Sequence, residues 1–292
     1  MDSQLVSLLL NAMVSGLLLG GFYAAMSIGI SISFGMLDIV NIAHPAFVVL
    51  GAYFTYLIFT YLGVDPILGM AVVIPVFFAI GLLVYKVYYH SFEKHGSDPL
   101  RGLAFFFGLL FIIEVTLVLT AGVDYRTVAT SYTDTSVEVG MVNLPLRLVI
   151  PFIVSMVMLL GLRWFLSKTF FGRAVSAVAQ DGLALQLMGV NPVKLKGYAF
   201  AISIATAGVA GALLIIIQSV QPSMGREYIG LVFAVCVLGG LGSLYGTMLA
   251  AFILGIAEAF TATFAGPSWA PAVSFGLLLL TLAFRPSGIF GR

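Results

Sequence analysis

Long runs of apolar residues alternate with short polar interruptions along the 292 residues of the chain. A helix needs about 20 apolar residues to cross the hydrocarbon core of a bilayer. The run at 229–262 exceeds one crossing, and the glycine-rich GGLGS at 239–243 divides it into two helices. The pattern therefore predicts eight to ten transmembrane helices with broken or re-entrant segments. The runs lie near 5–34, 41–62, 67–85, 103–121, 144–166, 198–220, 229–262 and 270–284.

Composition favours the same class of protein. Hydrophobic residues make up 61% of the chain and charged residues 9%, whereas soluble domains average about 25% charged residues. We therefore predict an all-α polytopic membrane protein, with residues 1–292 forming a single transmembrane domain. A single cysteine, Cys236, excludes a disulfide within the chain, and no basic patch indicates nucleic-acid binding.

The distribution of Lys and Arg predicts the orientation, because basic residues accumulate on the cytoplasmic side. The segment 122–143 carries three acids against one arginine, and the N-terminus has Asp2 without a basic residue. Both are predicted to face outward, with the C-terminus in the cytoplasm. Ten of the thirteen basic residues then fall on the cytoplasmic side: Lys86, Lys94, Arg101, Arg163, Lys168, Arg173, Lys194, Lys196, Arg285 and Arg292.

One cytoplasmic segment, 167–196, is long and polar enough to contact a partner protein. It is predicted to hold a small helix that begins near Arg173 and ends before Gly189, since Gly is common just after a helix and Asn191-Pro192 would stop it. An apolar stripe on this helix is predicted to fit a groove on the partner. The stripe consists of Ala174, Val178, Leu185 and Met188.

The sequence FGMLDIVNIAHP at 34–45 places polar residues at a break between two spans. Asp38, Asn41 and His44 recur at a spacing of three, which would put them on one face of a helix. Polar groups at membrane depth are tolerated where they face protein or water. The segment is either a broken helix that lines a substrate path or a short cytoplasmic turn with Asp38 as an ordinary cap.

The second break, GGLGSLYG at 239–246, is rich in glycine, which permits close backbone approach. None of the five lysines directly follows a glycine, so the chain has no phosphate-binding loop of the form GxxxxGK. We interpret these glycines as a site of close packing and as a gap for substrate.

Two acids, Glu114 and Glu258, lie inside apolar runs, where ionisable residues commonly serve transport. A secondary transporter or channel for a small polar solute such as urea would need one of them, or Asp38, as its coupling or selectivity group. A membrane enzyme is disfavoured because no nucleophile constellation is present. The sequence HSFEKH at 90–95 lacks the further ligands that a closed metal site needs.

Four blocks of the sequence together resemble the permease subunits of branched-chain amino-acid ABC importers, of the LivH type. They are GGFYAAMSIGISISFGMLDIVNIAHPAFVVLGAY at 20–53, FGRAVSAVAQDGLALQLMGVNP at 171–192, VLGGLGSLYGTMLAAFILGIAEAF at 237–260 and FRPSGIFG at 284–291. Two positions depart from the family pattern. Pro45 stands where the family often has Gly, and DGLALQLMG replaces a segment that commonly reads DREAARLMG, so that Leu183 occupies an acidic position.

The resemblance implies an ABC importer permease fold in a bacterial-type inner membrane, with no catalytic residue or metal site. It implies three kinds of protein partner: a second related permease, two cytoplasmic ATPases, and a periplasmic or extracellular solute-binding protein. ATP would be used by the partners, with no cofactor bound by this chain. The substrate path would be bordered by Phe34, Gly35, Asp38, Asn41, His44, Gly242 and Ser243. Coupling to the ATPases would involve Arg173, Ala174, Val178, Asp181, Leu185, Met188 and Gly189.

Overall fold

The computed structural model describes residues 2–95, 99–180, 182–285 and 288–289, and it is almost entirely helical. Its α-helices are α1 (Asp2–Ser33), α2 (His44–Leu62), α3 (Pro66–Ser91), α4 (Pro99–Ala121), α5 (Leu146–Lys168), α6 (Phe170–Gln180), α7 (Gly182–Leu187), α8 (Pro192–Ile217), α9 (Met224–Gly239), α10 (Leu244–Phe264) and α11 (Ala270–Phe284). A hairpin of β1 (Ser136–Val139) and β2 (Val142–Pro145) and short 3-10 turns at Glu93–His95 and Pro267–Trp269 complete the described elements.

Eight helical segments of the described chain are long and apolar enough to cross a membrane. The shorter helix α9 adds a further apolar element, so the predicted range of eight to ten crossings is confirmed. Both predicted breaks are also present. The chain leaves the first helix at Ser33 and starts α2 at His44, and the GGLGS sequence separates α9 from α10.

Helix boundaries follow local chemistry. Pro45 lies in the first turn of α2, where its missing N–H costs nothing, and Gly63 ends that helix in the left-handed conformation at φ +64°. The Asp65 side chain accepts a hydrogen bond from the backbone N–H of Ile67 and so caps α3. At the start of α8, the Asn191 side chain accepts from the N–H of Lys194 in the same way.

Helix α8 is the centre of the bundle. Every residue from Ser203 to Ile216 is buried, and the surrounding helices α1, α2 and α3 pack against it through small residues. A Cβ atom on Gly51 would lie 2.8 Å from the carbonyl oxygen of Gly208, so only glycine allows α2 and α8 to approach this closely. These small residues therefore allow close packing between the central helices.

Helices α1 and α10 form the other close contact. A Cβ on Gly16 would lie 2.6 Å from the Cα of Ile256, and a Cβ on Gly255 would lie 2.6 Å from the carbonyl oxygen of Gly16. Helix α11 lies outside this group, against α9 and α10, and most of its surface is exposed.

The connections separate into two ends, as the Lys and Arg pattern predicts. At one end, Arg126 pairs backbone to backbone with Val220, and Tyr132 donates to Asp65 Oδ1 at 3.2 Å. Burial raises the pKa of Tyr132 to about 12, so its hydroxyl keeps the donated proton at neutral pH.

At the opposite end, Lys196 pairs with Glu93 at 2.7 Å, and Ile289 donates its N–H to the carbonyl of Leu238. We call it the basic end, because nine of the ten basic residues predicted to be cytoplasmic lie there. The tenth, Arg292, is outside the described residues. Arg126, Arg147 and Arg226 lie at the other end.

Candidate functional site

The first break does not place its polar residues on one face. Residues 34–43 turn without forming a helix, and Asp38 takes the left-handed conformation at φ +57°. Its side chain is exposed, whereas Asn41 and His44 are fully buried. The prediction of a shared face is wrong because it assumed helical geometry across the break. The segment is a turn, but Ala43, not Asp38, occupies the N-cap of α2.

The buried polar groups of this turn face the protein interior. The Nε2 atom of His44 lies 3.1 Å from the carbonyl oxygen of Met26. Within the described part of the chain, neither polar atom of the Asn41 side chain has a hydrogen-bond partner. A substrate path bordered by Asn41 or His44 stays a prediction, and it would require these side chains to become accessible.

The two breaks contact each other directly. A Cβ atom on Gly35 would overlap the backbone nitrogen of Gly242, and Gly242 has φ +81° with its own Cβ position 2.6 Å from the Gly35 carbonyl oxygen. The side chain of Ser243 caps α10 by accepting from the N–H of Gly246. Beside this contact, the Phe34 ring lies 6.3 Å from that of Phe233.

The Gly35–Gly242 contact corrects the interpretation of the glycines as a gap. They bring two backbones together at the basic end of α1 and α10, and no space for a solute remains between them. Close packing, the other half of that interpretation, is confirmed.

A cavity of about 330 Å³ lies among α1, α9, α10 and α11, in the half of the bundle away from the basic end. Glu258 lies about 21 Å along α10 from Leu244, at about 1.5 Å per residue. The cavity is thus separated from the Gly35–Gly242 contact by several turns of packed helix. Ligand pockets commonly enclose about 300–1,000 Å³, so this one suits a small molecule.

A carboxylate forms the polar floor of this cavity. Glu258 is only 5% exposed; its Oε2 accepts a hydrogen bond from Tyr23 at 2.6 Å, and its Oε1 accepts from Ser274. A carboxylate has about four acceptor positions, so two remain for a ligand. The intramembrane position of Glu258 was visible in the sequence, but its partners on α1 and α11 were missed because nothing local indicates them.

Polar and apolar groups divide the rest of the lining. Tyr228 and Gln218 are hydrogen-bonded to each other at the outer rim, and Glu227 is also there. Leu231 and Phe275 form part of an apolar wall. The cavity therefore offers a buried carboxyl group beside an apolar surface, which suits a small amphipathic cation or zwitterion.

The other intramembrane acid has a different role. Glu114 Oε1 lies 2.7 Å from Nη2 of Arg226, 112 residues away. No basic residue lies near Glu114 in the sequence, and the fold supplies this partner from a distant helix. This ion pair joins α4 to the start of α9, and Glu114 does not line the cavity around Glu258.

The polar segment 167–196 is helical over Phe170–Gln180 and Gly182–Leu187. Helix α6 ends at Gln180 and α7 begins at Gly182. Asp181 lies outside the described residues, so its predicted role in coupling stays a prediction. Gly189 follows the end of α7 with φ +80°, the left-handed conformation that the sequence predicts after a helix.

The apolar stripe of this segment packs on the chain itself. Ala174, Val178 and Leu185 are between 5% and 7% exposed and belong to the hydrophobic core. The prediction that they fit a partner's groove is wrong because α6 and α7 need that stripe to bind α5 and α8. Met188 is 72% exposed, and Arg173 is also on the surface, so these two remain accessible to a partner.

The sequence HSFEKH at 90–95 is held against the bundle by an ion pair and hydrogen bonds. Glu93 binds Lys196 and accepts from the Tyr85 hydroxyl, and His90 donates from Nδ1 to the carbonyl of Lys86 at 2.8 Å. The described residues include no group of three or more His, Cys, Asp or Glu side chains suited to hold a metal ion.

Together these features define a multi-pass α-helical membrane protein with a polar cavity inside its bundle, the architecture of a transport subunit. A family model for the permease component of branched-chain amino acid transport systems matches residues 12–282. The chain belongs to this family. Its members are transport subunits, not enzymes, and the alternative of a secondary transporter or channel is not favoured.

Three relatives illustrate the match. The chain is 31% identical over 296 residues to the high-affinity branched-chain amino acid transport system permease protein BraD of Pseudomonas aeruginosa, covering 97% of this chain and 96% of BraD. It is 30% identical over 302 residues to LivH of Escherichia coli, with the same coverage. LivM of Escherichia coli is 35% identical over 120 residues, 40% of this chain and 28% of LivM. No solved structure matches the chain.

Proposed function

We propose that the chain is the transmembrane permease subunit of an ABC importer that moves branched-chain or related amino acids into the cytoplasm. Family membership and the names of the relatives support the substrate class. The concentration of basic residues at one end supports a cytoplasmic C-terminus and an outward N-terminus. The membrane would be a bacterial-type inner membrane.

The observation that carries the proposal is the Glu258 cavity. An amino acid zwitterion would place its ammonium group against the free acceptor positions of Glu258 and its aliphatic side chain against Leu231 and Phe275. Burying an ammonium without a partner is expensive, so a carboxylate at this depth lowers the cost of entry. The apolar wall favours branched aliphatic side chains over polar ones.

In this proposal the Gly35–Gly242 contact closes the path on the cytoplasmic side while the cavity faces outward. Separation of the two breaks would then release the substrate. Gly35, Gly242 and Ser243 would thus border the path as predicted, but they would close it instead of leaving a gap for the substrate. No chemistry on the substrate is involved.

Energy would come from partner proteins. We propose two ATPases docked on the exposed parts of the segment 167–196, which include Arg173, Met188 and Gly189. The stretch of similarity to LivM supports pairing with a second, related permease. A solute-binding protein would deliver substrate to the outward end. No cofactor would be bound by this chain.

The test is uptake of labelled leucine by vesicles that contain the complete transporter and internal ATP. Glu258→Gln removes the carboxyl group while keeping the shape of the side chain. We expect uptake to fall by about tenfold or more, which corresponds to a loss of about 1.4 kcal/mol in substrate binding free energy. Glu114→Gln is the matched control, because it neutralises an intramembrane acid outside the cavity. Copurification of the ATPases with both variants would show that assembly persists.

Two results would contradict the proposal at different points. Uptake by the Glu258→Gln transporter equal to that of the unaltered transporter would remove Glu258 from the path but leave the importer intact. Accumulation driven by a proton gradient without ATP would replace the ABC importer with a secondary transporter.

A further inference from the structure

A groove of about 280 Å³ lies between the end of α3 and the start of α8, at the basic end of the bundle. Lys86 and His90 line it from α3, and Lys194 and Tyr198 line it from α8. Residues four apart on a helix lie on the same face, so each helix presents a pair of polar side chains to the groove. We call it the α3–α8 groove.

Aromatic packing holds the floor of the groove in place. A Cβ atom on Gly197 would lie 2.9 Å from Cδ1 of Tyr85, so glycine lets this buried ring rest against the backbone of α8. Tyr85 stacks on Tyr89 with ring centroids 6.3 Å apart, and Tyr198 stacks on Phe78 at 6.4 Å. Tyrosines of this kind are enriched at the level of lipid headgroups.

The groove is positively charged. None of its lining residues is acidic, and neither Lys86 nor Lys194 forms a salt bridge within the described part of the chain. The nearby carboxylate of Glu93 is already bound to Lys196 at 2.7 Å. His90 donates from Nδ1 to the Lys86 carbonyl, so the two lysines supply the groove's positive charge.

The surface beside the groove is apolar. Leu83 and Val87, which follow Leu82 along α3, are 64% and 53% exposed on a helix long and apolar enough to span the membrane. A ligand in the groove can therefore extend an acyl chain along α3. A free phosphate ion would use the lysines and leave this surface uncovered.

We propose that the α3–α8 groove binds the phosphate headgroup of an anionic glycerophospholipid from the adjoining leaflet. Lys86 and Lys194 hold the phosphate oxygens, Tyr89 and Tyr198 lie at the headgroup level, and the acyl chains follow α3. Basic pockets between transmembrane helices on the cytoplasmic side suit such headgroups. Lys194 lies three residues after the Asn191 cap. A bound lipid therefore also holds the start of α8, which forms the end of the segment 167–196.

The test measures lipid retention by the full chain, purified in detergent, stripped of lipid and titrated with phosphatidylglycerol or phosphatidylcholine. Native mass spectrometry counts the bound lipids. We expect preferential binding of phosphatidylglycerol, and a loss of roughly 30-fold in its affinity for the double variant Lys86→Gln with Lys194→Gln, at roughly fivefold for each basic residue. Arginine at both positions should restore binding.

The matched control is Lys94→Gln with Lys168→Gln, which removes two charges from the same end outside the groove. We expect less than a twofold change for it. Equal losses of phosphatidylglycerol affinity in the two double variants would overturn the proposal. They would show that the lipid is attracted by the overall positive charge of this end and not by the groove. Displacement of phosphatidylglycerol by millimolar inorganic phosphate would assign the groove to a free anion. Loss of ATPase copurification with unchanged lipid binding would assign it to a protein partner.

Discussion

The contact between Gly35 and Gly242 predicts a sharp effect of adding one methyl group. In Gly242→Ala the new Cβ lies 2.6 Å from the Gly35 carbonyl oxygen, and the backbone keeps φ +81°. The left-handed conformation costs an alanine about 1–2 kcal/mol, and overpacking adds about 1–3 kcal/mol. Because the neighbouring atoms are backbone, the overlap is relieved only by moving the two breaks apart.

Gly63→Ala is the control that separates these two costs. Gly63 also has a positive φ, +64°, but nothing lies within 4 Å of its Cβ position. It should therefore show only the backbone cost. The remaining difference of about 1–3 kcal/mol corresponds to a 5- to 150-fold smaller population of the closed arrangement.

The assay compares ATP-driven uptake and ATP hydrolysis by the complete transporter carrying each variant. We expect Gly242→Ala to lose uptake while hydrolysis continues, because the cytoplasmic side no longer closes, and Gly63→Ala to retain both activities. Gly35→Ala should reproduce the defect from the other side of the contact. If Gly242→Ala and Gly63→Ala transport equally well, the contact is a packing feature and the closure lies elsewhere.

Two further predictions concern glycines with other surroundings. Gly255→Ala should lower the free energy of unfolding in detergent by about 1–3 kcal/mol, because its Cβ meets the backbone of α1. In the control Gly276→Ala nothing lies within 4 Å of the new Cβ, so this variant should be neutral or stabilising by up to about 1 kcal/mol. Equal melting temperatures for the two variants would refute the close α1–α10 contact. Gly189→Val should uncouple transport while leaving membrane insertion intact, because a branched residue resists φ +80°; unchanged uptake and ATPase copurification would show that this turn does not position the docking segment.

Local features of the sequence were enough to predict the spans and their breaks. Apolar length predicts each crossing, and the glycines of GGLGS predict the separation of α9 from α10, because both depend on neighbouring residues alone. The turn at Gly189 was predictable for the same reason.

Contacts between distant residues were not predictable from one sequence. The Tyr23 hydroxyl reaches Glu258 across 235 positions, and Arg226 reaches Glu114 across 112. The spacing of apolar residues also does not show what an apolar stripe packs against. The sequence therefore predicts a partner for the side of α6 that in the structure packs on the protein's own core. A helical spacing, as between Asp38 and Asn41, predicts a shared face only if the segment is a helix, and residues 34–43 are not.

The pairing of α1 with α10 has a consequence for biosynthesis. Helix α1 packs its glycines against α10, which is synthesised much later, so the α1–α10 contact forms only after α10 has been made. Until then the glycine surface around Gly16 lacks its partner helix. A chain that stops before α10 therefore leaves the glycine surface of α1 uncovered, although α1 still packs against α8.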